Sequence, residues 1–308
     1  MVADGGVPEV SIVVAHLNQP EQLRTLLASL FAQEYDMGRA EVIVVDNGSR
    51  RVPRDVIASY AGVRLAEEGA PGPGPARNLG VVLARAPIIA FTDADCQVAR
   101  DWVPTMLARF ATDPGIEILG GDVRMLTETP GYPSLAEAFE CVYAFNQRAY
   151  IERQGFSVTA NLAIRRRIFD RVGSFAGIEV AEDMDWCHRA SALGHRARYA
   201  PEMVVYHPAR RSMAELRAKW DRNISHHFRV RAIGVKGRVK WVLTALAVAA
   251  SVPAEIPRIA TTARLSGLRE RWRAFLGMAA LRLYRAYAML AALSLRRTRS
   301  GNLKWNRD

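Results

Sequence analysis

The chain has 308 residues, half of them hydrophobic and 24% charged, which is enough apolar material to bury a core and too much for a disordered chain. Its three cysteines, Cys96, Cys141 and Cys187, lie far apart, which excludes a zinc-type spacing and a disulfide framework and suits a reducing compartment. The net charge of +11 is unevenly placed: residues 1–207 carry 20 Lys+Arg against 26 Asp+Glu, and residues 208–308 carry 22 against 5. An acidic globular part with a basic tail implies two tasks, and the tail is expected to face lipid headgroups or nucleic acid. The opening MVADGGVPEV has no basic and apolar leader, so no signal peptide is expected.

Taken in order, residues 10–15 (VSIVVA) form a short apolar run that predicts a buried strand, broken by Asn18-Gln19-Pro20. Residues 20–33 have helical spacing, with Leu23, Leu26, Leu27, Leu30 and Phe31 on one face. Residues 41–45 (EVIVV) predict a second strand, followed by Asp46-Asn47-Gly48-Ser49, a helix over 52–60 and a short strand at 63–65. Alternating strands and helices make a parallel sheet the economical arrangement. Residues 69–75 (GAPGPGP) read as a loop. A helix over 76–84 then places Arg77 in a first turn, where free backbone N–H groups already favour an anion; the plainer reading of Arg77 is a surface charge.

Residues 87–91 (PIIAF) predict another buried strand, and FTDADC follows with Asp93 and Asp95 two residues apart. Positions i and i+2 of an extended segment share a face, so both carboxylates can converge on one point. Two hard oxygen donors at a strand end suit Mg²⁺ or Mn²⁺ shared with phosphates, beyond the strand ends where open α/β sheets bind ligands. The competing reading is a solvated turn that caps the next helix. A helix over 102–110, a strand at 116–121, a helix over 135–150, a strand at 157–163 containing Asn161 and a helix over 165–172 come next. The helix predicted over 181–193 opens with Glu182, Asp183 and Asp185, which ordinary acid enrichment at a helix N-terminus also explains. A last strand at 204–206 ends in His207-Pro208, and a lone histidine there is more often structural than a ligand.

These pieces together resemble the family 2 glycosyltransferases, over about residues 10–208. The segments that carry the resemblance are SIVVAHLN, VIVVDNGS, GPGPARNLG, IIAFTDADC, TANLAIRRRIFDRVGSF, AEDMDWCHRASALGH and VVYHP, in that order. The resemblance implies an α/β GT-A fold, Rossmann-like and mostly parallel, as a catalytic region over 1–209 with a basic helical region over 210–308. It also implies an inverting transfer of a hexose-type sugar from a nucleotide-diphosphate sugar, with Mn²⁺ or Mg²⁺ as cofactor. Carried over, Ala15, His16 and Asn18 with Asp46 and Asn47 line the base and ribose pocket, and Arg77 stands near the diphosphate. Asp93 and Ala94 contact the ribose side, Asp95 holds the cation with Asp93 beside it, and His207 is an additional metal or phosphate contact. Asp183 is the catalytic base, with Glu182 orienting it. The donor is expected to be a UDP-sugar and the acceptor a hydroxyl of a lipid-linked or surface glycan, as in polysaccharide biosynthesis.

The sequence departs from the family pattern in three places, one being GAPGPGPARN, which keeps the Arg-Asn pair but is rich in proline. Processive members carry Gln-x-x-Arg-Trp, and LRAKW here has Leu216 and Lys219 at the informative positions, which favours addition of one sugar. Asp46-Asn47 replaces a pair of aspartates, which leaves the preferred base open.

No run in the tail reaches the roughly 18–20 apolar residues of a spanning helix. On a helical wheel Arg271, Arg282, Arg285 and Arg296 fall within an arc of about 60°, and a basic stripe on an otherwise apolar helix suits an anionic membrane surface. The expected location is therefore the inner face of the cell membrane, peripheral and cytoplasmic. The alternative is a core helix whose arginines are solvated. No nucleic-acid-binding motif is present. Two other whole-chain readings compete: an inactive nucleotide-sugar-binding module whose tail recruits a partner, and a nucleotidyltransferase, which would need a glycine-rich phosphate loop that VVAHLNQPEQ lacks.

Overall fold

The computed structural model describes residues 6–294, without the side chains of residues 222, 226, 229–231 and 294. Among the described residues the chain divides into two compact units: residues up to Arg124 with Phe145–His207, and Met125–Ala144 with the chain from Pro208 onward. The segment Met125–Ala144, grouped by sequence with the N-terminal region, belongs to the second unit.

The first unit opens with β1 (Val10–His16), α1 (Pro20–Phe31), β2 (Ala40–Asp46), α2 (Arg54–Ile57), β3 (Val63–Glu67), α3 (Pro73–Leu83) and β4 (Ile88–Asp93). Next come β5 (Gln97–Val98), α4 (Trp102–Thr112) and β6 (Ile118–Leu126). After α5 (Leu135–Tyr143) of the second unit, it continues with α6 (Gln147–Gln154), β7 (Leu162–Arg165), α7 (Arg166–Val172), α8 (Glu182–Ala192) and β8 (Ala197–Pro208). The strands form one sheet of order β3-β2-β1-β4-β7-β6-β8-β5. β1 pairs in parallel with β2 and β4, and β2 with β3, whereas β7 runs antiparallel to β4 and β6. The parallel expectation thus holds for the first four strands, and the remainder make the sheet mixed.

Strand alternation decides which side chain goes to which layer. Val10, Ile12 and Val14 point into one core with Leu23, Leu26, Leu27 and Leu30 of α1, each of which contributes about 2 kcal/mol by burial. Val13 and Phe91 face the other layer, with Phe175 and Trp186. There α3 lies close on β1 because Gly80 has no side chain; a Cβ at Gly80 would stand 2.3 Å from Val13 Cγ1.

Between β1 and β4 the connections leave in opposite directions, since β1 leads to β2 on one side and β4 stands on the other. That switch point opens a crevice beyond the C-terminal strand ends. The register sets Ala15 beside Asp93 and His16 beside Asp46 at its mouth.

Several local expectations change: the helix expected over 52–60 is the single turn Arg54–Ile57, and the last strand, expected at 204–206, runs over Ala197–Pro208. The loop expected at residues 69–75 ends early, because Pro73 and Pro75 form the first turn of α3, where a missing N–H costs no hydrogen bond. The helix expected over 135–150 breaks at residues 144–146 into α5 and α6. The strand expected over 157–163 begins only at Leu162, after a 3₁₀ turn at Thr159–Asn161.

The second unit assembles α5 with α9 (Met213–Arg231), α10 (Gly234–Ala250), α11 (Ile256–Thr261) and α12 (Leu268–Ser294). Ser134 and Glu137 cap α5 reciprocally. Gly277 lets α12 approach the Leu135 carbonyl, which a Cβ would meet at 2.3 Å. The basic stripe expected along α12 is not an outward one. Arg271 donates to the carbonyls of Ile259, Thr262 and Leu265. Arg282 donates to the Ser251 carbonyl at 2.9 Å and pairs with Glu255, while Arg285 stacks 3.5 Å from the centroid of the Trp220 ring. The cause is local for two of them: helix ends and the turns beyond them leave orphan carbonyls, and Arg271 and Arg282 satisfy these. Arg296 lies outside the described residues. By length and composition α12 can cross a membrane (Leu268–Leu293, mean hydropathy 1.2), although no continuous apolar run was visible in the sequence.

Candidate active site

A cavity of about 350 Å³ opens at the switch point. Ala15 and His16 of β1, Asn47 after β2, Arg77 of α3, Asp93 to Asp95 at the end of β4, and Glu182 and Asp183 at the start of α8 all line it. Carboxylates far apart in the sequence therefore share one space. Asp46, Asn18 and His207 do not line it, yet each touches a residue that matters to it.

Asp46 is buried behind His16 and accepts a 2.8 Å hydrogen bond from its Nδ1. Ser49 donates to the same carboxylate through its hydroxyl (2.6 Å) and its backbone N–H (3.0 Å). Burial would push the Asp46 carboxyl up, but these donors outweigh it and hold it below the ordinary value. The Gln19 N–H donates to His16 Nε2 at 3.2 Å, so the imidazole proton sits on Nδ1 and the ring orientation is locked from both sides. Asn18, at φ 54, bridges the same turn: its N–H donates to Ser49 Oγ and its Oδ1 accepts from the Arg50 N–H. Asn47 donates to the carbonyls of Glu68 and Ala70 and accepts from the Gly72 N–H at 2.8 Å, which fixes the loop that leads into α3.

Arg77 is buried, and its two terminal nitrogens each make a 2.7 Å ion pair, one with Asp93 and one with Glu182. Burial lowers the Arg77 pKa, but the two carboxylates overcome it and the net shift is upward. One cation thus ties β4 to the N-terminus of α8. It balances Asp93 and Glu182 and leaves the next residue of each pair to its own surroundings.

Those next residues are Asp95 and Asp183. Burial raises the Asp95 carboxyl, and the charge of Asp93 adds to this while His207, 3.5 Å away, works against it. Burial likewise raises Asp183, followed by the charge of Glu182; the Met184 N–H, 2.7 Å from Asp183 Oδ1, and Arg77 oppose this. Asp93, Asp95 and Cys96 bring ligand atoms within 4.8 Å of one another. The two carboxylates fit a hard divalent cation. The Cys96 thiol does not, because burial and both aspartates push its pKa well above normal and a coordinating thiol must ionise.

Sequence reasoning missed the opposite wall, made by Phe145 and the 3₁₀ turn with Val158, Thr159 and Ala160. Phe145 adopts φ 45, and its ring packs 4.9 Å from that of His207. Gln147 forces this backbone: it is fully buried, donates to the Gly121 carbonyl and Ser157 Oγ and accepts from the Val158 N–H.

Comparison with known proteins gives the family and the fold. The chain is similar to the glycosyltransferase AglE of Haloferax volcanii, at 27% identity over 210 residues, which is 66% of this chain and 68% of that protein. It is also similar to the pre-mycofactocin glycosyltransferase of Mycobacterium tuberculosis, at 27% identity over 215 residues, 67% of this chain and 44% of that one. The chain thus spans less than half of the second relative. Among solved structures, the mannosyltransferase PcManGT from Pyrobaculum calidifontis, in complex with GDP-Man and Mn²⁺, superposes with a TM-score of 0.57 at 18% identity, over 94% of this chain and 88% of that one. TarS 1–349 from S. aureus, in complex with UDP-GlcNAc, gives 0.55 at 16% identity, over 89% and 90%. The fold is therefore GT-A-like. The model of the glycosyl transferase family 2 matches residues 11–179, ending just before Glu182 and Asp183. With most of its sheet and the residues of β1, β2, α3 and β4 that line the cavity inside that match, the chain belongs to glycosyl transferase family 2.

Proposed function

We propose that the protein is an inverting, metal-assisted glycosyltransferase that moves one sugar from a nucleotide-diphosphate sugar, a UDP-sugar by expectation, to an acceptor hydroxyl. The observation that carries this reading is the shared cavity of Asp93, Asp95 and Asp183. Asp95, with Asp93, would hold Mn²⁺ or Mg²⁺, and such a cation would offset the negative charge that develops on the departing diphosphate. His207 supports Asp95 from behind. His16 and Asn47 form the end of the cavity that takes the base and ribose, with Asp46 holding His16 in place. Asp183 accepts the proton of the attacking hydroxyl. Its raised pKa makes it a stronger base than an exposed aspartate. Attack from the face opposite the leaving group inverts the anomeric centre, and no covalent sugar intermediate is needed. Glu182, paired with Arg77, positions Asp183.

The acceptor in this reading is a lipid-linked or surface glycan at the cytoplasmic face of the membrane. Release of nucleoside diphosphate from a panel of donors, with and without Mn²⁺, tests the reaction. Donor binding that never leads to release, across a broad acceptor panel, would replace the enzyme with a binding module.

A further inference from the structure

The second unit bonds Arg271 and Arg282 of α12 internally and leaves two lines of hydrophobic side chains exposed. Along α12, Trp272, Leu276, Leu283, Tyr287 and Leu290 are exposed at spacings of three, four and seven residues, which place them on one face. Trp272 is 61% and Tyr287 69% exposed. Along α10, Val235, Val239, Leu243 and Leu246 form a second exposed line at the same spacing, and Leu243 is 61% exposed. The opposite face of α12 is spent on the protein: Ala274, Met278 and Leu281 are buried, and the helix packs on α5, α9, α10 and α11.

Soluble surfaces scatter such side chains singly, and continuous lines of them mark a surface that water does not cover in use. Two features of this unit choose the occupant. Lys236, Arg238 and Lys240 are exposed in the first turns of α10 beside its apolar line, and the 22-to-5 excess of basic residues from 208 onward repels a second copy but attracts an anionic surface. Trp272 and Tyr287, about 22 Å apart along the helix, are the amphipathic rings that settle at headgroup depth. The stripe is also long enough, about 27 Å from Trp272 to Leu290, to lie flat along a bilayer. Crossing the bilayer is a poorer fit, because the Ala274, Met278 and Leu281 face of α12 packs within a unit that also contains α9, a helix carrying charge along its length, and lipid would have to solvate that charge.

We infer that the apolar lines of α10 and α12 dock the protein monotopically on an anionic bilayer, with the cationic start of α10 on the headgroups. It is the apolar face that inserts, while the arginines of α12 serve the protein's own fold.

The test is sedimentation of the full chain with vesicles of neutral phosphatidylcholine alone and of phosphatidylcholine with one quarter phosphatidylglycerol. The wild type is expected to sediment with the anionic vesicles. The double variant Leu283→Glu/Tyr287→Glu should lose at least about tenfold in vesicle partition at any salt concentration. Lys236→Glu/Lys240→Glu should lose several-fold, and only at low salt. Leu243→Ser, a milder change at an exposed site, should lose about threefold and keeps the test valid if the double variant melts early. Unchanged sedimentation of the apolar variants would overturn the inference. So would a wild type that is a dimer in solution, indifferent to vesicles, and made monomeric by Leu283→Glu/Tyr287→Glu. The vesicle assay needs no donor and no turnover, and nucleoside diphosphate release onto a water-soluble acceptor should match the wild type in all three variants, so failure of the docking face and failure of the enzyme reading give separate results.

Discussion

The cavity of the first unit and the arginine-rich face of α12 handle charge in opposite ways. Along α12 Arg271 and Arg282 end on carbonyls and a carboxylate, while Arg285 rests on the Trp220 ring, its Nε without a hydrogen-bond partner and its pKa pushed down to about 10 by burial and by Arg282. In the cavity one cation, Arg77, is shared by Asp93 and Glu182, and the carboxyls of Asp95 and Asp183 are pushed up because compensation falls short. The difference separates structure from chemistry. Compensated charge stabilises a fold, whereas charge held short of compensation stores the tendency to bind a cation or a proton.

Removing the base should have the largest effect. Asp183→Asn should lower transfer by about 10²–10⁴-fold while leaving donor affinity nearly unchanged. It should also raise the melting temperature at neutral pH. The folded-state pKa of Asp183 is raised, so the folded chain holds its proton longer than the unfolded chain. Stability then falls as pH climbs from the ordinary aspartate value through the raised one, and a neutral amide removes that loss. The same shift predicts an acid limb in the pH–rate profile above the usual carboxylate range. A limb at the ordinary value would break the contrast between the two regions.

Next in size, Arg282→Gln should destabilise the protein by about 1–2 kcal/mol, because it removes the cation from the Glu255 carboxylate, which is 18% exposed and keeps only the Tyr143 hydroxyl as a donor. Donor turnover per folded molecule should not change. Asp95→Ala should abolish the dependence of donor binding on Mn²⁺, read as the metal-induced rise in melting temperature with donor present; an unaltered titration would remove Asp95 from the cation site. The smallest effect belongs to Phe145→Gly. Relief of the φ 45 backbone should offset the flexibility that glycine brings to the unfolded chain and hold stability within about 1 kcal/mol. Transfer should still fall several-fold, because the ring that packs on His207 is gone.

Much of the first unit was legible in the sequence because its cues are local. VSIVVA and PIIAF are short apolar runs that read as buried strands, and the end of the second points to Asp93 and Asp95 without knowledge of the partner strands, whereas Ala15 and His16 came from the resemblance. The meeting of Arg77 with Glu182 was not legible, since the two residues are 105 positions apart and nothing local tells an arginine which carboxylate it will share. Arg77, expected near a diphosphate, lines the cavity, and the two carboxylates it pairs with there could not be named from the sequence. Phe145 escaped because its conformation is imposed by what Gln147 bonds elsewhere. The arginines of α12 misled because a helical wheel shows direction but not the orphan carbonyls of neighbouring helices, which Arg271 meets nine and twelve residues back. The proline-rich start of α3 misled more simply, since a breaker inside a helix is an initiator at its first turn.

The most direct measurement is calorimetric binding of a nucleotide-sugar with Mn²⁺ to the wild type and to Asp183→Asn, beside release of nucleoside diphosphate by each. The account predicts near-equal affinities and a loss of release confined to Asp183→Asn. A variant whose binding falls as far as its rate, or a wild type that binds and releases equally well without a divalent cation, would contradict it.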